Sequence, residues 1–83
     1  MIHFTGEAWD HYLYWQTTDK NMLKRINRLI KDCLRDPFVG WGKPEPLKRD
    51  LAGLWSRRID NMHRLVYKYE KGELFIFSCR FHY

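Results

Sequence analysis

The run Arg80-Phe81-His82-Tyr83 places a cation, an imidazole and a phenol together at the C-terminal end of the sequence. Side chains of these types bind a phosphate and move protons around it. Chain ends usually fray, but the apolar run Leu74 to Cys79 just before this set predicts a strand that docks it. A carboxylate that could act as a base stands at Glu45, between Pro44 and Pro46, and both prolines narrow its backbone freedom. Arg57, Arg58, Arg64 and Arg80 lie on or beside predicted strands. Strand alternation sends Arg57 and Arg58 to opposite faces, so only one of them can share a site with the others. Arginines converging on one sheet face suit a phosphate whose charge grows in a transition state.

Other chemistries find little support. No pair among His3, His11, His63 and His82 has helical metal-ligand spacing, and cysteine partners are missing, so neither a metal nor another cofactor is expected. No serine–histidine–acid set, phosphate-binding glycine loop or dinucleotide fingerprint is present. Gly40 and Gly42 sit in a short loop with no helix after it. Cys33 and Cys79 each fall in an apolar pattern, which predicts two buried free thiols and suits a cytoplasmic compartment.

The elements that must position these residues follow from periodicity. His3 to Thr5 can close a short first strand, and Gly6 to Trp15 carries apolar residues at helical spacing. Asp19 is the expected N-cap of a second helix over Lys20 to Leu34. There Met22, Ile26, Leu29, Ile30 and Cys33 fall at i, i+4, i+7, i+8 and i+11, on one face. Lys20, Lys24, Arg28, Lys31 and Arg35 fall opposite, with few acidic residues among them. Asp36-Pro37 ends the helix. After a loop through Pro46 and a turn near Asp50 to Gly53, strands are expected at Leu54 to Ile59, Leu65 to Tyr69 and Leu74 to Cys79. Helices first and strands after indicate an α+β domain, with both helices on one face of a small antiparallel sheet. A tight turn at Gly72 would make the last two strands a hairpin and bring Arg64 close to His82.

The chain of 83 residues is read as a single domain, 1–83, and a core this small gains from its four Trp, five Tyr and five Phe. The 45% hydrophobic and 30% charged content argue against disorder. A net charge of +5 and a pI near 9.4 point to a polyanionic partner. No apolar run reaches membrane-span length, and Met1 to Phe4 does not open a signal peptide.

Four segments taken together are specific: Gly42-Lys43-Pro44-Glu45-Pro46-Leu47-Lys48, Leu54-Trp55-Ser56-Arg57-Arg58-Ile59, His63-Arg64-Leu65-Val66-Tyr67 and Cys79-Arg80-Phe81-His82-Tyr83. With the run Trp9 to Trp15, they make the chain closely resemble the YoeB (Txe/YoeB) toxins of type II toxin–antitoxin systems, within the RelE-like superfamily. The resemblance spans nearly the whole sequence.

The resemblance implies a microbial-ribonuclease-like fold and an endoribonuclease that cleaves mRNA in the A site of the translating ribosome. It places the catalytic set at Glu45, Arg64, His82 and Tyr83. Lys48, Arg58 and Arg80, with Lys24, Arg28 and Lys31 of the helix, are then candidates for holding RNA phosphate. It further implies inhibition by a YefM/Phd-type antitoxin with an acidic C-terminal segment, and a toxin homodimer. The same residues would equally serve a ribonuclease that cuts free RNA without the ribosome. The basic helix alone would serve a non-catalytic RNA- or ribosome-binding module.

Overall fold

The computed structural model describes residues 1–82. Strand β1 (Ile2–Phe4) leads into helices α1 (Gly6–Thr18) and α2 (Lys20–Arg35), followed by β2 (Glu45–Pro46), a 3-10 turn (Arg49–Leu51), β3 (Trp55–Arg58), β4 (Arg64–Glu70) and β5 (Glu73–Ser78). Each helix starts on a side chain that satisfies a free N–H of its first turn. Thr5 Oγ1 accepts from the Ala8 N–H at 3.1 Å, and Asp19 accepts from the N–H groups of Asn21 and Met22. Asp19 also closes α1, donating its own N–H to the Trp15 carbonyl, so one extended residue separates the two helices. Asp36, extended ahead of Pro37, stops α2.

The five strands form one sheet in the order β1-β5-β4-β3-β2. Neighbours from β2 to β5 are antiparallel, as expected, but β1 runs parallel to β5, so the sheet is mixed. A parallel pair cannot be closed by a tight turn. Here everything from α1 to β4 lies between β1 and β5, with the helical hairpin carrying the chain from one edge of the sheet to the other. Three residues with no turn joining them to their partner could not announce that direction in the sequence. The β4–β5 hairpin turns at Lys71 and Gly72, both with positive φ, the pairing that matches strand twist in a two-residue loop.

Both helices cover one sheet face. Ala8 and Trp15 of α1, and Met22, Ile26, Leu29, Ile30 and Cys33 of α2, pack on Leu65, Tyr67, Leu74, Ile76 and Cys79. Alternation puts Ser56, Arg58, Arg64 and Val66 on the other face. No helix of the described residues is long and apolar enough to cross a membrane.

Candidate active site

The face opposite the helices gathers the arginine–carboxylate set. Arg58 on β3 is the cross-strand partner of Arg64 on β4, and Ser56 of Val66. Glu45, expected in a loop, instead opens the short edge strand β2, where it pairs with Ser56. Glu45 and Arg58 are thus diagonal neighbours, roughly 7–8 Å apart along the pleat, and Arg64 lies one strand further, about 5 Å on. Ser56 and Val66 are buried although no helix covers them, so they form a floor beneath longer side chains. Two guanidinium groups directly across a ladder repel; an anion between them would relieve that.

Arg64 is half-buried and anchored. Its Nη1 donates to the carbonyls of Asp60 (2.8 Å) and His63 (3.1 Å). That turn is held by the Asp60 carboxylate, which accepts from the N–H groups of Met62 (2.8 Å) and His63 (2.7 Å). Burial opposes the Asp60 charge, but those two N–H groups, with His63 and Arg25 nearby, together keep the carboxyl below its usual range.

The C-terminal segment arrives at the same end of the sheet. The Arg64 N–H donates to the Phe81 carbonyl at 3.0 Å, so the exposed His82 follows directly on the start of β4. Phe81 turns the chain with φ of 66°, in the left-handed region. The expected proximity of Arg64 and His82 through the hairpin is therefore found. Tyr83 lies outside the described residues.

The remaining candidates divide. Lys48 is exposed just past Glu45 and Pro46, at the head of the 3-10 turn. Arg28 on α2 stacks on the Trp41 ring at 4.0 Å, and Arg25, Arg28, Trp41 and Arg58 line one shallow hollow of about 180 Å³. The hollow is thus shared by α2 and the end of β3, and Arg58 is the residue it has in common with the sheet set. Lys31 lines the adjoining hollow of about 480 Å³ with Arg35 and Trp41, whereas Lys24 lines neither. Arg80 stands apart, its guanidinium between the rings of Tyr14 (3.5 Å) and Phe81 (4.4 Å).

Arg57, sent to the helix face, is wholly buried and wires the loop that leads to Glu45. It donates to Asp32 Oδ2 (2.6 Å), to the carbonyls of Asp36 (2.6 Å) and Trp41 (3.2 Å), and to the Tyr67 hydroxyl (3.1 Å). Tyr67 in turn donates to the Pro37 carbonyl at 2.6 Å, and burial pushes its phenol up to about 12. Sequence reasoning gave no part to Arg57 beyond its face. It also passed over His63, although the hairpin that joins Arg64 to the terminus places His63 opposite Phe81.

A model of the YoeB-like toxin of bacterial type II toxin–antitoxin systems matches residues 4–83. The chain belongs to this family. It is 61% identical over 80 residues to Toxin YoeB of Escherichia coli (strain K12), covering 96% of this chain and 95% of that one. The YoeB-like fold overlays on YoeB of a heterotetrameric YoeB–YefM toxin–antitoxin complex from Staphylococcus aureus with a TM-score of 0.94 at 45% identity, covering 100% of this chain and 97% of that chain. It overlays on a YoeB dimer from the same organism with a TM-score of 0.92 at 46% identity, over 99% and 95% of the two chains.

Proposed function

We propose that this YoeB-family toxin is an endoribonuclease that cleaves mRNA in the ribosomal A site and so stops translation. The observation that carries the reading is the register that sets Glu45, Arg58 and Arg64 on one open sheet face, with the segment bearing His82 tied to the Arg64 backbone.

Glu45 takes the proton from an RNA 2′-hydroxyl, and the oxygen attacks the adjacent phosphorus. Arg64 meets the charge that develops on the non-bridging oxygens, with Arg58 beside it and Lys48 at the rim. His82 gives a proton to the departing 5′-oxygen. Tyr83 orients the phosphate or stacks on a base. One P–O bond forms as another breaks, leaving a 2′,3′-cyclic phosphate and a 5′-hydroxyl. No step calls on a metal. Cleavage that depends on magnesium, or ready cutting of 2′-deoxy RNA at the scissile position, would overturn this scheme.

The basic hollow that runs from Arg58 to Arg28 and Trp41 supports contact with ribosomal RNA, because cations and an exposed ring suit phosphate and base together. The excess positive charge supports an acidic YefM/Phd-type antitoxin as the neutralising partner, in line with the Staphylococcus aureus complex. A homodimer follows by the same likeness, and the action belongs in the cytoplasm, where translation takes place.

The test is cleavage of an mRNA positioned on purified ribosomes beside the same mRNA free in solution, with wild type, Glu45→Gln and His82→Ala. Cutting on ribosomes alone, reduced by about 10²–10⁴-fold in each variant, is expected. Equal cutting of free RNA would make the chain a general ribonuclease. Tight ribosome binding without cutting would make it a binding module.

A further inference from the structure

Two histidines that the mechanism does not use converge on the backbone of the C-terminal segment. His63 Nδ1 accepts the Phe81 N–H at 2.7 Å. His11 Nδ1, on α1, accepts the Cys79 N–H at 3.2 Å and lies 3.3 Å from the Ser78 hydroxyl. A backbone N–H can only donate, so both imidazoles must present an unprotonated Nδ1 here. The segment they grip has left the β5 ladder, which ends at Ser78, so its amides have no strand partner on that side. We propose that His11 and His63 are positioning residues that lock the C-terminal segment, and with it His82, in register with Arg64. This rests on the reading of His82 as the general acid.

The surroundings fit that task. Trp15 and His63 meet edge to face with centroids 4.9 Å apart, and Trp15 Nε1 donates to the Cys79 carbonyl at 2.9 Å. Phe81 lies 6.1 Å from both imidazole rings. Thus the N–H and C=O of Cys79 and the N–H and C=O of Phe81 are all engaged, by His11, Trp15, His63 and the Arg64 N–H in turn. Burial lowers the His11 pKa; Glu7 and Asp10 pull it back up, while Arg80 and His63 push it down, and the net effect favours the neutral ring that can accept. Phe81 sits in the left-handed region, which a phenylalanine adopts only when its surroundings fix it. Without the His63 acceptor, the Phe81 turn keeps only the Arg64 N–H on its carbonyl, and the hold on His82 loosens.

The test separates acceptor from ring. His63→Phe keeps a ring against Trp15 but has no acceptor; His63→Asn sets a carbonyl oxygen near the Nδ1 position without a ring. The matching pair is His11→Phe and His11→Asn. Amide hydrogen exchange at Phe81 and Cys79 in the free toxin reads the lock without reference to catalysis. In His63→Phe, exchange at Phe81 should quicken by at least about tenfold, and His63→Asn should restore protection. On ribosomes, kcat of the Phe variants should fall roughly 10–100-fold while KM moves less than about twofold. The Asn variants should recover most of it. Unchanged Phe81 and Cys79 exchange in the Phe variants would disprove the lock. Faster exchange with wild-type kcat would keep the contact and remove its positioning role. If the wild type itself cuts nothing, the exchange data still decide the lock, and it is the general-acid reading of His82 that fails.

Discussion

Asp32 on α2 and Arg57 on β3 meet at 2.6 Å across the helix–sheet interface, and this contact governs the loop from Pro37 to Gly42. Asp32 also accepts from Arg35 and from the Trp41 N–H. Arg57, with no exposed side-chain surface, becomes a buried charge short of its carboxylate if Asp32 is removed. Asp32→Ala should therefore destabilise the protein by about 3–5 kcal/mol in urea denaturation. The hydrogen bond from Arg35, then the Trp41 N–H, then Arg57 hold the Asp32 carboxyl well below the usual carboxylate range. A depressed folded-state pKa means that the stabilisation is complete above the ordinary carboxylate pKa and is lost as pH falls below it. Wild-type stability should drop between about pH 5 and pH 2, and Asp32→Asn should flatten that drop. Equal slopes for the two proteins would show that Asp32 is not the group responsible.

Gly42 is where the loop passes under β3. Its φ is 79°, and a Cβ there would come within 2.8 Å of the Arg58 carbonyl and 3.1 Å of Leu29 Cδ2. Its own carbonyl accepts the Arg58 N–H at 2.7 Å. Gly42→Ala thus combines backbone strain with a clash against main chain, and should cost more than about 1 kcal/mol. Because the displaced groups carry Arg58, RNA cleavage should fall as well. Gly6, with ordinary φ and open space for 4 Å around the position a methyl would take, is the control: Gly6→Ala should melt at or above the wild-type temperature.

Periodicity places the helices and the two long strands because their apolar residues repeat with the geometry of the element. The α2 face of Met22, Ile26, Leu29, Ile30 and Cys33 is buried residue for residue. Alternation alone likewise separates Arg57 from Arg58. What stays hidden is set by contacts distant in sequence. Glu45 and Pro46 are too short a run to signal a strand, and only pairing with Ser56 and Trp55 makes them one. The direction of β1 is fixed by β5, more than 70 positions away. His63 and His11 lie within family-like runs, but nothing local to either run says what its imidazole accepts; those contacts exist only because the terminal segment folds back onto them.

Arg57 and Arg58 are adjacent and chemically identical, yet their substitution should give opposite phenotypes. Arg58 is exposed beside Arg64, Arg28 and Trp41. Arg58→Ala should leave the melting temperature nearly unchanged, weaken RNA binding, and reduce the slope of log affinity against log salt by about 1. Arg57→Ala empties a buried position and frees the loop carbonyls of Asp36 and Trp41, so its first effect should be on folding. Circular dichroism melts alongside salt-dependent RNA binding distinguish the two. An Arg58→Ala protein with an unaltered salt slope would remove Arg58 from the phosphate-binding surface.

Cys33 and Cys79 offer a probe of the terminal segment. Burial pushes the Cys33 thiol up to about 11 and that of Cys79 up to about 12, so neither supplies appreciable thiolate near neutral pH. Cys33 belongs to the α2 face of the core, while Cys79 sits at the point where the segment leaves β5, its thiol 3.7 Å from the Ala8 carbonyl. If the segment stays docked in the native state, a thiol reagent should reach Cys79 only through the global opening that exposes Cys33. The two should then be labelled at the same rate, and that rate should rise with urea in step with unfolding. Labelling of Cys79 well ahead of Cys33 would mean that the segment detaches on its own. The Arg64–Phe81 contact would then be too transient to hold His82 at the site.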